Sequence, residues 1–177
     1  MYRAIRERII GGLHETLERA SGYSESTIMP LEIQRRETEG ITIFDLRGRI
    51  VAGSESAELR DALTQFASGP HPNLILNMQH VHFVDSTGLG ILVLGHSSVE
   101  QVGGALKLLN ISKRSAQLLI LTKLSTVFEM FNDEQTAINS FFPDREVKRF
   151  DILDFVNSQE GGEESAAGEN RETGKHS

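Results

Sequence analysis

The residues best suited to chemistry lie in one run, Phe83-Val84-Asp85-Ser86-Thr87-Gly88-Leu89-Gly90-Ile91-Leu92. An apolar pair gives way to a carboxylate, two hydroxyls and a pair of glycines, and then to apolar residues at helical spacing. That order marks the handover from a strand to a helix. The first turn of a helix holds backbone N–H groups without partners and the positive end of the helix dipole. A hydroxyl placed there can carry a phosphate without refolding. Ser86 stands at that point. A plainer reading makes Ser86 or Asp85 the helix N-cap, and both readings can hold at once.

Other chemistries need residues that this run lacks. A dinucleotide fingerprint requires a third glycine for close helix–strand packing, and Val93 occupies that place after Gly88 and Gly90. A nucleophile elbow needs glycine two residues before the serine, where Val84 stands, and no Gly-Lys-Ser/Thr ending marks a Walker loop. His80 and His82 lie two apart before Asp85, so a strand could turn both to one face as metal ligands, but no third ligand accompanies them. His96, in Gly95-His96-Ser97-Ser98, has no identifiable partner for work as a base. The chain has no cysteine, which removes disulfides, thiolate catalysis and thiolate zinc sites.

The elements that position Asp85 and Ser86 follow from the changing period of the apolar residues. Leu31 to Arg35 alternates with period two, and Ile41 to Leu46 follows a turn at Glu39-Gly40. Together they predict a hairpin whose second strand ends at Gly48. From Ser54, the expected N-cap, Leu59, Ala62, Leu63, Phe66 and Ala67 repeat as one face of a helix that Gly69-Pro70-His71-Pro72 stops. Leu74 to Met78 is a short apolar run of the kind buried on both faces of a sheet. A helix from Ser86 carries Leu89, Leu92, Val93 and Val99 on one side and ends at Gly103-Gly104. Ala105 to Ile111 then reads as a strand, and Ser112 caps a helix with Leu118, Leu119 and Leu121. Val127 to Phe131 reads as a last short strand, before a helix capped by Asp133 that bears Ala137, Ile138 and Phe141. This βαβαβαβα alternation after a hairpin implies a mainly parallel sheet covered by amphipathic helices.

A length of 177 residues, 38% of them apolar and 24% charged, accommodates one ordinary domain with extensions. Residues 1–29 are expected to be an N-terminal extension, in which Ile5, Ile9, Leu13 and Leu17 form one helical stripe that Gly11-Gly12 weakens. The folded domain is expected over 30–143. Residues 144–177 form a tail, in which a short apolar stretch from Phe150 to Val156 is read as a docking segment or a helical turn, and no large apolar residue follows Gln159, so disorder is expected beyond about 158. A formal net charge of -7 argues against a phosphate-backbone binder, so no direct nucleic-acid partner is expected. The opening residues lack the apolar core of a signal peptide, and no segment approaches the roughly 20 apolar residues needed to span a bilayer. The expected location is the cytoplasm.

The run Val84-Asp85-Ser86-Thr87-Gly88-Leu89-Gly90 resembles the Asp-Ser-Ser/Thr-Gly-Leu-Gly signature of the STAS family, named for sulfate transporters and anti-sigma factor antagonists. Leu46-Arg47-Gly48-Arg49-Ile50 with Ser54 to Leu63, Gly103-Gly104-Ala105-Leu106-Lys107-Leu108 and Leu124-Ser125-Thr126-Val127-Phe128 resemble further family segments, so the likeness runs from about Leu31 to Phe142. It implies an α/β, STAS-like single domain with a mixed, mainly parallel β-sheet. It also implies an anti-sigma factor antagonist: a protein-binding module, not an enzyme, that sequesters an anti-sigma factor serine kinase and so regulates sigma-factor-dependent transcription. In such antagonists the kinase phosphorylates the first Ser or Thr after the motif Asp, which breaks the complex. By this resemblance Ser86 is the phospho-acceptor and Asp85, Thr87, Gly88 and Leu89 belong to the partner interface. No catalytic residue, metal or cofactor is implied, and a PP2C-like phosphatase is a second candidate partner. One position departs from the pattern: Val51 stands where many members have Asp in a Gly-x-Leu-Asp run. Two other readings remain beside this one, a STAS scaffold or adaptor in a stress-sensing or transport complex, and a small-molecule or nucleotide-binding protein.

Overall fold

The computed structural model describes residues 30–70 and 72–158, and its first element is the expected hairpin. Strands β1 (Glu32–Thr38) and β2 (Ile41–Ile50) run antiparallel with Thr38 opposite Ile41, joined by Glu39 and Gly40 at φ 53° and 78°. The chain continues through α1 (Ser54–Ala67), β3 (Asn73–Val84), α2 (Ser86–Gln101), β4 (Ala105–Leu109) and α3 (Lys113–Leu121). A 3-10 turn at Leu124–Thr126 leads to β5 (Glu129–Phe131), α4 (Glu134–Asn139) and α5 (Ile152–Asn157). The five strands lie in the order β1-β2-β3-β4-β5, and every pair after the hairpin is parallel. The mixed, mainly parallel sheet of the sequence reading is therefore observed. The expected helix over Tyr2 to Ala20 and the tail from Gln159 lie outside the described residues.

Alternation along the strands divides the core into two layers. Phe44, Leu46, Leu74, Leu76, Leu106, Leu108 and Met130 face one side, where α1, α2 and α3 cover them with Leu59, Leu63, Leu89, Leu92, Val99, Ala116 and Leu119. Ile41, Ile43, Ile75, Leu109 and Phe131 face the other side, beneath Ala137 and Ile138 of α4. Each fully buried Leu or Ile contributes roughly 1.5–3 kcal/mol, so the first, larger layer dominates stability. On the second face Lys107 is buried, and its Nζ donates to the Ser140 carbonyl at 3.1 Å and hydroxyl at 2.9 Å and pairs with Glu129 at 2.7 Å. That cation holds the C-terminal end of α4, where the dipole is negative. Arg36 ties the same helix to the sheet by bridging Asp45 and Glu134.

Several boundaries differ from the sequence expectation, each for a local reason. Strand β2 runs to Ile50, two residues past Gly48, because Arg49 and Ile50 still pair with Phe83 and Val84. Strand β3 extends far beyond Met78, to Val84, and its register against β2 shifts between Asp45 and Arg47 and again between Gly48 and Arg49. These bulges move the inward positions from Leu74, Leu76 and Met78 to Val81 and Val84, so simple alternation fails there. Ser54 is not the cap of α1. Gly53, at φ 129°, precedes the first turn, while the Ser54 hydroxyl donates to Glu55. Strand β4 stops at Leu109 because Asn110 takes φ 54°. Val127 follows the 3-10 turn instead of joining a strand, and Leu121 at the end of α3 is 81% exposed while Leu119 is buried.

The packed part also continues past the expected limit at 143. Phe150, Ile152, Phe155 and Val156 pack against the main core, and Asp151 caps α5 by accepting from the Leu153 and Asp154 N–H groups.

Candidate functional site

Strand β3 delivers Asp85 to the C-terminal edge of the sheet, and α2 starts at the next residue. Asp85 has extended backbone, with φ -96° and ψ -177°, and is the N-cap of α2. Its Oδ1 accepts from the Gly88 N–H at 2.8 Å, and its Oδ2 accepts from the Ala52 N–H at 2.9 Å. Its own N–H donates to the Ile50 carbonyl at 3.2 Å. One carboxylate thus joins the loop after β2 to the first turn of α2. The Gly88 N–H, then those of Ala52 and Thr87 and the positive charge of Arg49, hold the Asp85 carboxyl below the usual carboxylate range.

Gly88 makes this clasp sterically feasible. A Cβ there would lie 2.1 Å from the Ile50 carbonyl oxygen and 2.8 Å from its Cγ2. Only hydrogen fits, so the backbone of β2 and α2 can approach as closely as they do. Val51, at the departing family position, is half-buried, and its carbonyl accepts from the Ser56 hydroxyl.

The structure brings the expected residues to one corner but gives them different surroundings. Ser86 and Thr87 are exposed in the first turn of α2, and Asp85 is half-buried beneath them. Gly88 and Leu89 are buried, with Leu89 at 6% exposure in the main core. Their side-chain positions face inward and support the corner. His80 and His82 are both exposed on β3, and no group of three metal-ligating side chains occurs among the described residues. His96 is buried in α2, 3.5 Å from Glu100 and edge-on to Phe128 at 5.2 Å.

Two neighbours of Ser86, Arg114 and Gln117, escaped the sequence reading. A groove of about 360 Å³ runs from Phe83, Asp85 and Ser86 to Arg114, Gln117 and Leu121 of α3. The Arg114 guanidinium lies 4.7 Å from the centre of the Phe83 ring, and that of Arg49 lies 5.4 Å from the same ring. The one available signal was Lys113-Arg114 directly after the cap Ser112: cations in the first turn of a helix oppose its dipole. A second cavity of about 450 Å³, between β5 and the segment leading to α5, is lined by Phe128, Met130, Phe131, Val147, Phe150 and Ile152 and shares no residue with the Asp85–Ser86 corner.

A five-stranded mixed sheet with its capped Asp-Ser-Thr-Gly corner between β3 and α2 defines a class. The chain belongs to the STAS domain family, whose model matches residues 32–137. It is similar to the anti-sigma-B factor antagonist of Listeria monocytogenes, 33% identical over 104 residues, which are 59% of this chain and 90% of that one. It is also 29% identical over 102 residues to the anti-sigma-B factor antagonist of Bacillus subtilis, covering 58% of this chain and 92% of that one. Among solved structures, the fold is similar to that of the anti-sigma factor antagonist SpoIIAA in its unphosphorylated form. The TM-score is 0.55 at 22% identity, covering 65% of this chain and all of that one. A putative anti-sigma factor antagonist from Thermotoga maritima gives a TM-score of 0.57 at 17% identity, over 61% of this chain and 92% of that one. Residues 144–158, with the docked α5, lie beyond the matched family segment.

Proposed function

We propose that this chain is an anti-sigma factor antagonist, a binding module without turnover of its own, whose affinity for an anti-sigma factor serine kinase is switched at Ser86. The kin of known role named anti-sigma-B factor antagonists support the role. The single structural observation that carries the switch is the position of Ser86, exposed in the first turn of α2 directly after a cap whose two oxygens are already committed. The hydroxyl is free to be modified while the corner that presents it stays closed.

In the modification, Ser86 Oγ attacks the γ-phosphorus of ATP held by the kinase. The bond from that phosphorus to the bridging oxygen breaks, ADP leaves and the hydroxyl proton passes to a base on the kinase. The product carries about -1.5 to -2 charges and three acceptor oxygens at a helix N-terminus. The domain tolerates that charge, and a partner surface built for a neutral hydroxyl does not. Asp85 and Thr87 flank the acceptor within the contact, and Gly88 and Leu89 hold the corner from inside. Cytoplasmic residence and a PP2C-like phosphatase that removes the phosphate complete the reading. No helix among the described residues is long and apolar enough to cross a membrane.

The test is calorimetric titration of the cognate kinase with unmodified protein, Ser86-phosphorylated protein, Ser86→Ala and Ser86→Asp. Unmodified and Ser86→Ala protein bind alike, Ser86→Ala takes up no phosphate, and phosphorylation weakens binding at least tenfold, about 1.4 kcal/mol. Ser86→Asp, with less charge than a phosphate, weakens it less. Equal affinity for the unmodified and phosphorylated forms would make Ser86 an ordinary first-turn residue.

A further inference from the structure

We propose that Arg114, assisted by Arg49, hydrogen-bonds the phosphate of phosphorylated Ser86, so that the domain itself holds its modified state. This rests on the reading of Ser86 as the acceptor.

Three observations meet here. First, Ser86 and Arg114 line the same groove, and Asp85 and Arg114 are its sole charged lining residues. Asp85 already accepts from two backbone N–H groups, which leaves Arg114 as the uncommitted charge facing the hydroxyl. Second, neither Arg114 nor Arg49 meets a carboxylate within 4.0 Å among the described residues. Both instead lie against the Phe83 ring, two residues before Asp85. An arginine resting on an aromatic face exchanges that contact for a phosphate readily, because the charge-assisted, two-pronged hydrogen bond to phosphate is the stronger interaction. Third, Arg114 sits beside Lys113 in the first turn of α3, which contains no acidic residue. Cations at that end of a helix repel its dipole, and an incoming dianion removes the repulsion.

The groups around the phosphate then have defined signs. Arg114 comes from α3, Arg49 from β2 and Asp85 from the cap of α2, so two guanidinium charges face one carboxylate and the new phosphate. The guanidinium groups favour the dianionic phosphate over the monoanion, so they lower its second ionisation from the ordinary value of about 6. Modification also draws Arg114 off Phe83, which changes the shape of the groove as well as its charge.

The experiment uses the full chain with phosphoserine installed at position 86 during translation, followed by phosphorus NMR through a pH titration. The phosphate of the otherwise wild-type chain titrates below about 6, and R114Q raises that midpoint by about half a pH unit. R114K, which keeps the charge but loses the planar fork, gives an intermediate value. R35Q, on the edge strand β1, removes one exposed charge elsewhere and leaves the midpoint in place. Arg114 is exposed, so R114Q stays folded, which melting of the unmodified variants verifies. Identical midpoints in the wild-type and R114Q backgrounds would overturn the contact. Kinase affinity is measured separately on the same samples. If the midpoint moves but phosphorylation leaves affinity unchanged, the contact stands and the switch reading falls. If phosphorylation weakens binding while the midpoint ignores R114Q, the contact falls and the switch stands.

Discussion

Replacing Asp85 by alanine tests whether the corner beneath Ser86 is held as described. The substitution removes the acceptor for the Gly88 N–H at 2.8 Å and for the Ala52 N–H at 2.9 Å. Loss of an N-cap alone typically costs about 1 kcal/mol, and the further bond to Ala52 adds up to about 1 kcal/mol, reduced because Ala52 is exposed and water can replace the carboxylate. The expected loss is therefore about 1–2 kcal/mol, a fall of roughly 4–8 °C in melting temperature for a domain of this size. Urea unfolding followed by circular dichroism measures it. The pH dependence provides an independent check. The carboxyl ionises below its ordinary range in the folded chain, so its contribution is fully present above the unfolded value of about 4 and disappears as pH falls through the folded value. The gap between wild type and Asp85→Ala should be constant above about pH 5 and shrink as the solution is acidified below the unfolded value. Asp85→Asn, with one acceptor oxygen, recovers part of the loss but none of the pH dependence. An Asp85→Ala protein as stable as wild type at pH 7, or a gap that acidification does not shrink, would refute the clasp.

Gly88→Ala forces a Cβ to within 2.1 Å of the Ile50 carbonyl and should cost about 3 kcal/mol, measured by urea unfolding; a near-neutral result would show that β2 and α2 separate freely. Truncation after Pro143 exposes the core surface under Phe150, Ile152, Phe155 and Val156 and should lower stability by roughly 2–4 kcal/mol. Truncation after Ser158 removes residues with no large apolar side chain and should leave the melting temperature nearly unchanged. Lys107→Met keeps an apolar stem but loses three polar partners, so α4 should exchange its amide hydrogens faster while β2 and β3 keep their protection.

What the sequence made legible was whatever repeats with a regular period or sits at a sharp change of period. The face of α1 formed by Leu59, Leu63, Phe66 and Ala67, and that of α2 formed by Leu89, Leu92 and Val99, follow directly from helical spacing. The corner at Asp85 was legible because carboxylate, hydroxyl and glycine interrupt two apolar patterns there. Strand β3 was truncated in the reading because its bulges change the parity between Met78 and Val81, and alternation is the only local sign of a half-buried strand. Helix α5 was read only as a docking stretch or a helical turn because six residues are too few to show a period, and its order comes from the surface it covers. Arg49 and Arg114 are 65 positions apart, and only the pairing of β2, β3 and β4 brings both to Phe83. The resemblance named Gly88 and Leu89 with the partner interface, while the helical spacing already put Leu89 on the apolar face of α2, where it is buried.

The strand order has a consequence for how the molecule comes into being. Every strand lies beside the one that precedes it in the chain, and partners such as Asn73 and Ala105 are 32 residues apart, so no pairing waits for a distant segment. Domains emerging from a ribosome assemble from the N-terminal side. The sheet can grow one strand-and-helix unit at a time, with the Asp85 clasp closing as soon as α2 has emerged. Helix α4 returns to the hairpin through Arg36 and Glu134, and α5 returns to α3. During synthesis, then, the acceptor corner should be complete before the segment that seals the core has left the exit tunnel, and the nascent chain should expose a finished Ser86 on a domain still open at its far end.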